Sequence, residues 1–250
     1  MPAAYDTYDY PSYWLGREYE HKSEIIAIKA FLEKISHIKT ILEVGAGHGR
    51  LTPSYIFRAS RIILSDPSGR LLKIARSNLK SKKIRFIQAL LENLPQKVRS
   101  HSADVVVVVR VLHHVDNLEK TFSIIKRLCK KNGYFILEFA NKRHLKAILS
   151  EVARGNFTFP VDVFTKDVLS KRRKKSNLPF RNYHPDLILY MLKRYGFSVV
   201  EVRSVSNIRS PFIKKVLPLE FLLTLERFVQ KPLASFFFGP SIFILSKKTR

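Results

Sequence analysis

The chain has 250 residues, enough for one large domain with an ample core, and its 46% hydrophobic and 26% charged content excludes disordered and fibrous classes. A formal net charge of +25 from 45 Lys and Arg against 20 Asp and Glu suits contact with phosphates or an anionic surface, or else a basic residue bias spread over solvated faces. The single cysteine, Cys129, excludes a disulfide framework and fits a reducing compartment, so a cytoplasmic location is expected.

The N-terminal stretch MPAAYDTYDYPSYW is rich in tyrosine and lacks the charged-then-apolar order of a signal peptide. Residues 22–36 place Ile25, Ile28, Phe31 and Leu32 at helical spacing, which predicts a helix ahead of the first strand. ILEV (41–44) reads as that strand, and Thr52 and Pro53 as the cap and first turn of a helix over 53–60. RIILS (61–65) is a second strand, followed by a helix from Pro67, and IRFIQ (84–88) is a third. The β-branched run 104–109 predicts a fourth strand buried on both faces. A helix at about 117–130 follows, then an Asn132-Gly133 turn and the strand 134–139, and Cys129 falls late in that helix on an apolar register. A helix over 185–196 and strands at 197–205 and 241–248 complete the series.

This alternation predicts an α/β fold with a Rossmann-like, doubly wound, mostly parallel sheet. The whole chain, 1–250, reads as one domain: a helical lead-in over 1–37, a cofactor-binding core over 38–140, and substrate-side insertions at 141–183 and 208–237. No run of about 18 apolar residues is present, so no spanning helix is expected. The apolar segment 211–237 would allow a peripheral membrane contact.

The informative loop is LEVGAGHGR (42–50), directly after the first strand, where glycines permit positive φ and close approach of a ligand. Its spacing is G-x-G-x-G, unlike the dinucleotide fingerprint, and no phosphate-loop motif occurs. Glu43 ahead of the glycines disfavours a pyrophosphate and suits a ligand carrying an ammonium and a sulfonium. Asp66, at the end of the second strand, is placed to accept hydrogen bonds from ribose hydroxyls.

With ILSDPS (63–68), ENLP (92–95), SADVVVVVRVLHHV (102–115) and NGYFILEF (132–139), the glycine loop resembles the class I S-adenosylmethionine-dependent methyltransferases, most closely the branch acting on small molecules, quinones and lipids. The resemblance implies a seven-stranded sheet with an antiparallel last strand and S-adenosyl-L-methionine as cofactor. It implies that Glu43, Gly45, Ala46, Gly47 and Gly49 lie along the methionine and ribose, that Asp66 holds the ribose, and that Pro67 and Ser68 border the adenine. It places Arg110, Val111 and Leu112 beside the sulfonium. Where the family often carries an acid for the adenine amino group, this chain has Leu90, which leaves adenine to apolar packing and the Leu91 amide. Tyr13, Trp14 and Arg17 would fold over the site from the lead-in.

Methyl transfer is an in-line displacement and needs a general base only where the acceptor must lose a proton. His113 and His114, just past the fourth strand, are the base candidates, with Tyr183 and His184 as a second pair, and Glu138 and Asn141 as polar contacts to substrate. No ligand spacing suggests a metal. The expected reaction is transfer to a small-molecule or lipid-like acceptor, supported by the apolar, aromatic-rich segment 211–237. The alternatives are an RNA or ribosomal-protein methyltransferase, with nucleic acid docked on the Lys171–Lys175 cluster, and a non-catalytic relative, motivated by Leu90.

Overall fold

The computed structural model describes residues 9–167 and 180–249; the Lys171–Lys175 cluster lies outside them. After a short 3-10 turn at Ser12–Trp14, helix α1 (Glu18–Glu33) buries Ala27, Ile28, Phe31 and Leu32 on one stripe. The sheet strands then alternate with helices: β1 (Thr40–Val44), β2 (Arg61–Asp66), α2 (Gly69–Asn78), β3 (Ile84–Gln88), α3 (Leu94–Lys97), β4 (Ala103–Val108), α4 (Leu118–Leu128) and β5 (Cys129–Ala140). Helix α5 (Leu145–Val152) and a two-residue antiparallel pair, β6 (Lys166–Asp167) and β7 (Arg181–Asn182), form the first insertion. The chain ends with α6 (Pro185–Arg194), β8 (Phe197–Val205), α7 (Pro211–Val216), α8 (Leu219–Ala234) and β9 (Ser241–Lys248).

The expected architecture is borne out. The main sheet has the order β3-β2-β1-β4-β5-β9-β8, with β9 antiparallel to both neighbours and the first five strands parallel. Order reverses at β1, which pairs with β2 on one side and β4 on the other, so a crevice opens beyond its carboxyl end. Strand parity builds two apolar layers. Leu42, Val44, Val106 and Val108 face Phe122 and Ile188, whereas Ile41, Val105 and Val107 face Ile28, Phe31 and Tyr55.

Local departures have identifiable causes. The helix expected at 53–60 is two 3-10 turns, Thr52–Ser54 and Ile56–Arg58. Tyr55 between them leaves helical geometry at φ −141° and ψ 1°, which lets its fully buried ring carry the hydroxyl to Glu43. Thr52 likewise spends its hydroxyl on Glu43 and not on a helix cap. The turn expected at Asn132-Gly133 is a left-handed Asn132 (φ 60°) inside a longer β5, beside an irregularity in its pairing with β4. Cys129 accordingly opens β5 and does not end α4; it is fully buried, and burial pushes its thiol up to about 12.

Helix α8 packs on α1 and β8 through Leu222 and Leu223 and through a buried carboxylate, Glu226. Glu226 accepts from the Tyr19 hydroxyl (2.5 Å) and from the Ser206 amide (2.8 Å). The opposite face of α8 turns Phe221, Leu225 and Phe228 outward. Among the described residues no helix is long and apolar enough to cross a membrane.

Candidate active site

The loop after β1 is held open by glycine geometry. Gly45 and Gly47 sit at φ 72° and 57°, and a Cβ on Gly45 would overlap Val111 Cγ2 in the loop after β4. The Gly45 and Ala46 amides both donate to the Ser65 carbonyl, at 2.8 and 2.9 Å. Asp66 ties the next loop in: one carboxylate oxygen accepts from the Gly47 amide and the other from the Ser68 amide, each at 2.8 Å. Each oxygen has a second lone pair, so the carboxylate can accept from a ligand while it shapes both loops.

These loops bound a cavity of about 410 Å³ at the carboxyl ends of β1–β4. Gly45, Gly47, Asp66 and Pro67 line one wall, and Leu90, Leu91, Arg110 and Val111 another. Tyr10, from the lead-in, lies over Gly47, a position that the sequence reading did not single out. Ala46 and Gly49 shape the loop from behind and do not line the cavity: Ala46 packs in the layer with Tyr55, and a Cβ on Gly49 would stand 2.5 Å from Leu79.

Glu43 is a correction. Strand parity turns it away from the cavity, into the layer beneath the loop, where it is 4% exposed and accepts hydrogen bonds from Thr52 Oγ1 (2.9 Å) and the Tyr55 hydroxyl. Burial pushes its carboxyl up to about 7, against the hydrogen bonds from Tyr55 and Thr52. Between its ordinary value of 4.5 and about 7 the folded chain then holds more protons than the unfolded chain, so this group lowers stability as pH rises through that window. Replacing Glu43 by Gln should remove the penalty. Urea unfolding of variant against parent should move by about 3 kcal/mol in favour of the variant between pH 4.5 and 7, with no further change above.

The far wall of the cavity is Arg110, a non-glycine residue at φ 62°. Its amide donates to Glu138 Oε2 (2.8 Å), and its guanidinium reaches Glu24 through Nε (2.7 Å) and Nη2 (2.5 Å). Glu24, fully buried on α1, also pairs with Arg50, whose guanidinium lies 3.5 Å from the Trp14 ring centroid. Burial alone would raise the Glu24 carboxyl, but Arg110 and Arg50 outweigh it and hold it below the usual range. Arg110 is raised in turn, because Glu24 and Glu138 outweigh its own burial. The sequence held one signal for Glu24: it shares a helical stripe with Ile28 and Phe31, and a lone carboxylate on an apolar stripe needs a partner.

Beyond Arg110 lies a second chamber of about 330 Å³, lined by Tyr13, Trp14 and Arg17 from the lead-in and by Glu138 and Asn141 from the end of β5. Arg110 lines both spaces. The adjacent histidines divide between them: His114 lines the first and His113 the second, with ring centroids 4.0 Å apart and Phe180 4.3 Å from His113. Asn141 is committed to scaffolding, since its amide donates to the Phe237 and Gly239 carbonyls (2.6 and 2.7 Å). Glu138 accepts from the Ser241 hydroxyl besides Arg110, and burial raises its carboxyl.

Two candidates fall away from the site. His184 is buried at the start of α6, accepting from the Asp186 amide at Nδ1 (3.2 Å) and donating from Nε2 to the Pro160 carbonyl (3.0 Å). Tyr183 donates its hydroxyl to the Leu112 and Val115 carbonyls (2.9 and 3.2 Å), and burial pushes it up to about 12. Both are structural pins, because a residue adjoining the site in sequence need not face it in space.

The crevice at the strand reversal thus carries a glycine loop pinned by an acid at the end of β2, with a second chamber behind one wall. The family model described as "Methyltransferase domain" matches residues 42–137. A Saccharomyces cerevisiae protein named "Probable S-adenosylmethionine-dependent methyltransferase CRG1" is 31% identical over 105 residues, a match that spans 40% of this chain and 35% of that relative's length. The methyltransferase likeness in sequence thus covers the stretch from the glycine loop into β5, and the match spans about a third of the curated relative's length. The fold is shared with solved methyltransferases. An S-adenosylmethionine-dependent methyltransferase from Thermotoga maritima superposes with a TM-score of 0.64 at 16% identity, covering 99% of this chain and 98% of the other. One from Mesorhizobium loti gives 0.60 at 16% identity, with 90% and 97% covered. The matched stretch contains the glycine loop and Asp66, the carboxylate at the end of β2, both of which line the larger of the two spaces.

Proposed function

We propose that the protein transfers a methyl group from S-adenosylmethionine, held in the larger cavity, to a small-molecule acceptor held in the chamber behind Arg110. The observation that carries this reading is the shared wall: two spaces of about 410 and 330 Å³ meet at Arg110, with His114 on one side and His113 on the other. A sulfonium-bound methyl group is already activated, so the chain's contribution is to bind, align and exclude water.

Asp66 accepts the ribose hydroxyls, and the Gly45–Gly47 backbone lies along the methionine portion. Pro67, Leu90 and Leu91 flank the adenine; the carboxylate on that wall, Glu92, is paired with Lys120 at 3.1 Å. Arg110 and Val111 close the space toward the acceptor. Glu43, Ala46 and Gly49 act from beneath, by fixing the loop. The polar acceptor chamber supports a small soluble acceptor over a lipid-like one: from 208–237 it takes Ile208, Arg209 and Lys214, while Phe212, Phe221 and Phe228 face outward.

His113 is the base where the acceptor must lose a proton, since it and not His114 faces the chamber. Replacing His113 by Ala should lower kcat by roughly 100-fold or more while binding of S-adenosylhomocysteine stays within about twofold, and His114→Ala should have the smaller effect on kcat. Incubation with methyl-labelled cofactor and fractionated cell extract tests the acceptor class. Label is expected in the small-molecule fraction, and label confined to RNA, protein or lipid would overturn it.

A further inference from the structure

The chamber behind Arg110 carries more positive charge than its own carboxylates balance. Lys214 is paired with Glu20, and Arg110 and Arg50 are faced by the carboxylates of Glu24 and Glu138, so the excess positive charge lies on Arg17 and Arg209. Arg17 and Arg209 also line the chamber, and neither has a carboxylate partner among the described residues. Arg17 rests 4.2 Å over the Tyr13 ring, which steadies the guanidinium and leaves its N–H groups available.

The other polar groups of the wall add donors and few acceptors. His144 accepts from the Ala147 amide at Nδ1 (3.2 Å) as the cap of α5, so its neutral ring carries the proton on Nε2. Burial, then Arg209 and Lys146, hold that ring down at about 4, so it is neutral at physiological pH. The carboxylate of Glu138 and the amide of Asn141 are engaged with Ser241, Arg110 and backbone carbonyls. Arg17 and Arg209 are both exposed, so their guanidiniums reach the chamber mouth with donors that an incoming anion can engage and a cationic acceptor cannot.

The geometry points to an acceptor that bears an oxyanion, a carboxylate or phosphate group, gripped between Arg17 and Arg209. This rests on the methyl-transfer reading for the word acceptor, and on the charges alone for the anion. Guanidinium groups bind both oxyanions in the same bidentate way. The two arginines come from opposite ends of the sequence, α1's leading turn and the segment between β8 and α7, and line one chamber, on a side of the fold where α8 packs on α1. They set which small molecules dock, not the chemistry at the methyl group.

The test is calorimetric titration of the full chain, saturated with S-adenosylhomocysteine and at physiological salt, with citrate, with inorganic phosphate and with neutral succinamide. Citrate or phosphate should bind at one site, succinamide should not, and which oxyanion wins separates carboxylate from phosphate chemistry. The double variant Arg17→Gln/Arg209→Gln should weaken that binding about tenfold or more and leave S-adenosylhomocysteine affinity unchanged. The control Lys29→Gln/Lys193→Gln, at exposed lysines away from the chamber, should leave both unchanged. Equal binding of succinamide, an unaffected double variant or an equal loss in the control would each overturn the inference. Failure of S-adenosylhomocysteine to bind, with citrate or phosphate still captured by Arg17 and Arg209, would reject methyl transfer and keep the anion site. Cofactor binding with no oxyanion binding would reject the anion site alone.

Discussion

Replacing Asp66 by Ala should weaken S-adenosylhomocysteine binding by about 100-fold or more. Two charge-assisted hydrogen bonds to ribose hydroxyls would be lost, each worth about 1.5–3 kcal/mol. The same carboxylate also fixes the Gly47 and Ser68 amides at 2.8 Å, so both loops lose their pin. Asp66→Asn sharpens the test. Its side chain keeps one acceptor and turns an amide donor toward one of the two backbone N–H groups, so it should bind worse than the parent despite nearly equal size. A calorimetric titration checks both variants, with the melting transition recorded to confirm that each is folded. Parent-like affinity in Asp66→Ala would remove the acid from the cofactor site.

The second large effect is expected at Glu24. Removing this buried carboxylate leaves Arg50 and Arg110 without their shared ion-pair partner, and breaking a buried ion pair in this way costs about 3–5 kcal/mol. Against a total stability of about 5–15 kcal/mol, Glu24→Ala should be close to unfolding at ambient temperature, as urea titration would show. Replacing the three charges together, as Glu24→Leu/Arg50→Met/Arg110→Met, should recover part of that loss, because the ion-paired cluster goes as a unit while Glu138 keeps its hydrogen bonds from Ser241 and the backbone amide at 110. It should still abolish activity, since Arg110 is the wall between the two spaces. A stable Glu24→Ala chain would show that the cluster contributes little to the fold.

The strand series was legible because its signals are local and redundant. The run Val105–Val109 is buried on both faces, and β-branched side chains without polar alternation have few other places to go. The glycine loop and Asp66 were legible for a similar reason: positive φ and an acid closing the next strand are readable at known spacing. What escaped depends on facing and on distant packing. Glu43 adjoins Val44, yet pleating sends it to the opposite layer, and the Tyr55 hydroxyl that meets it also breaks the expected helix at 53–60. His113 and His114 looked equivalent, and only the 3-10 turn after β4 decides which chamber each ring enters. Arg17 and Arg209 line one chamber although they lie far apart in sequence, and Glu24 on α1 pairs with Arg50 and Arg110 from two separate loops, arrangements for which no short motif exists.

In the proposed mechanism the two spaces that share Arg110 hold cofactor and acceptor respectively. A crystal structure with S-adenosylhomocysteine bound tests it most directly. The ligand should lie along Gly45–Gly47, with its ribose on Asp66, its adenine between Pro67 and Leu91, and its sulfur facing the Arg110 wall. Ligand density in the chamber of Arg17 and Glu138, or none at full saturation, would contradict the account.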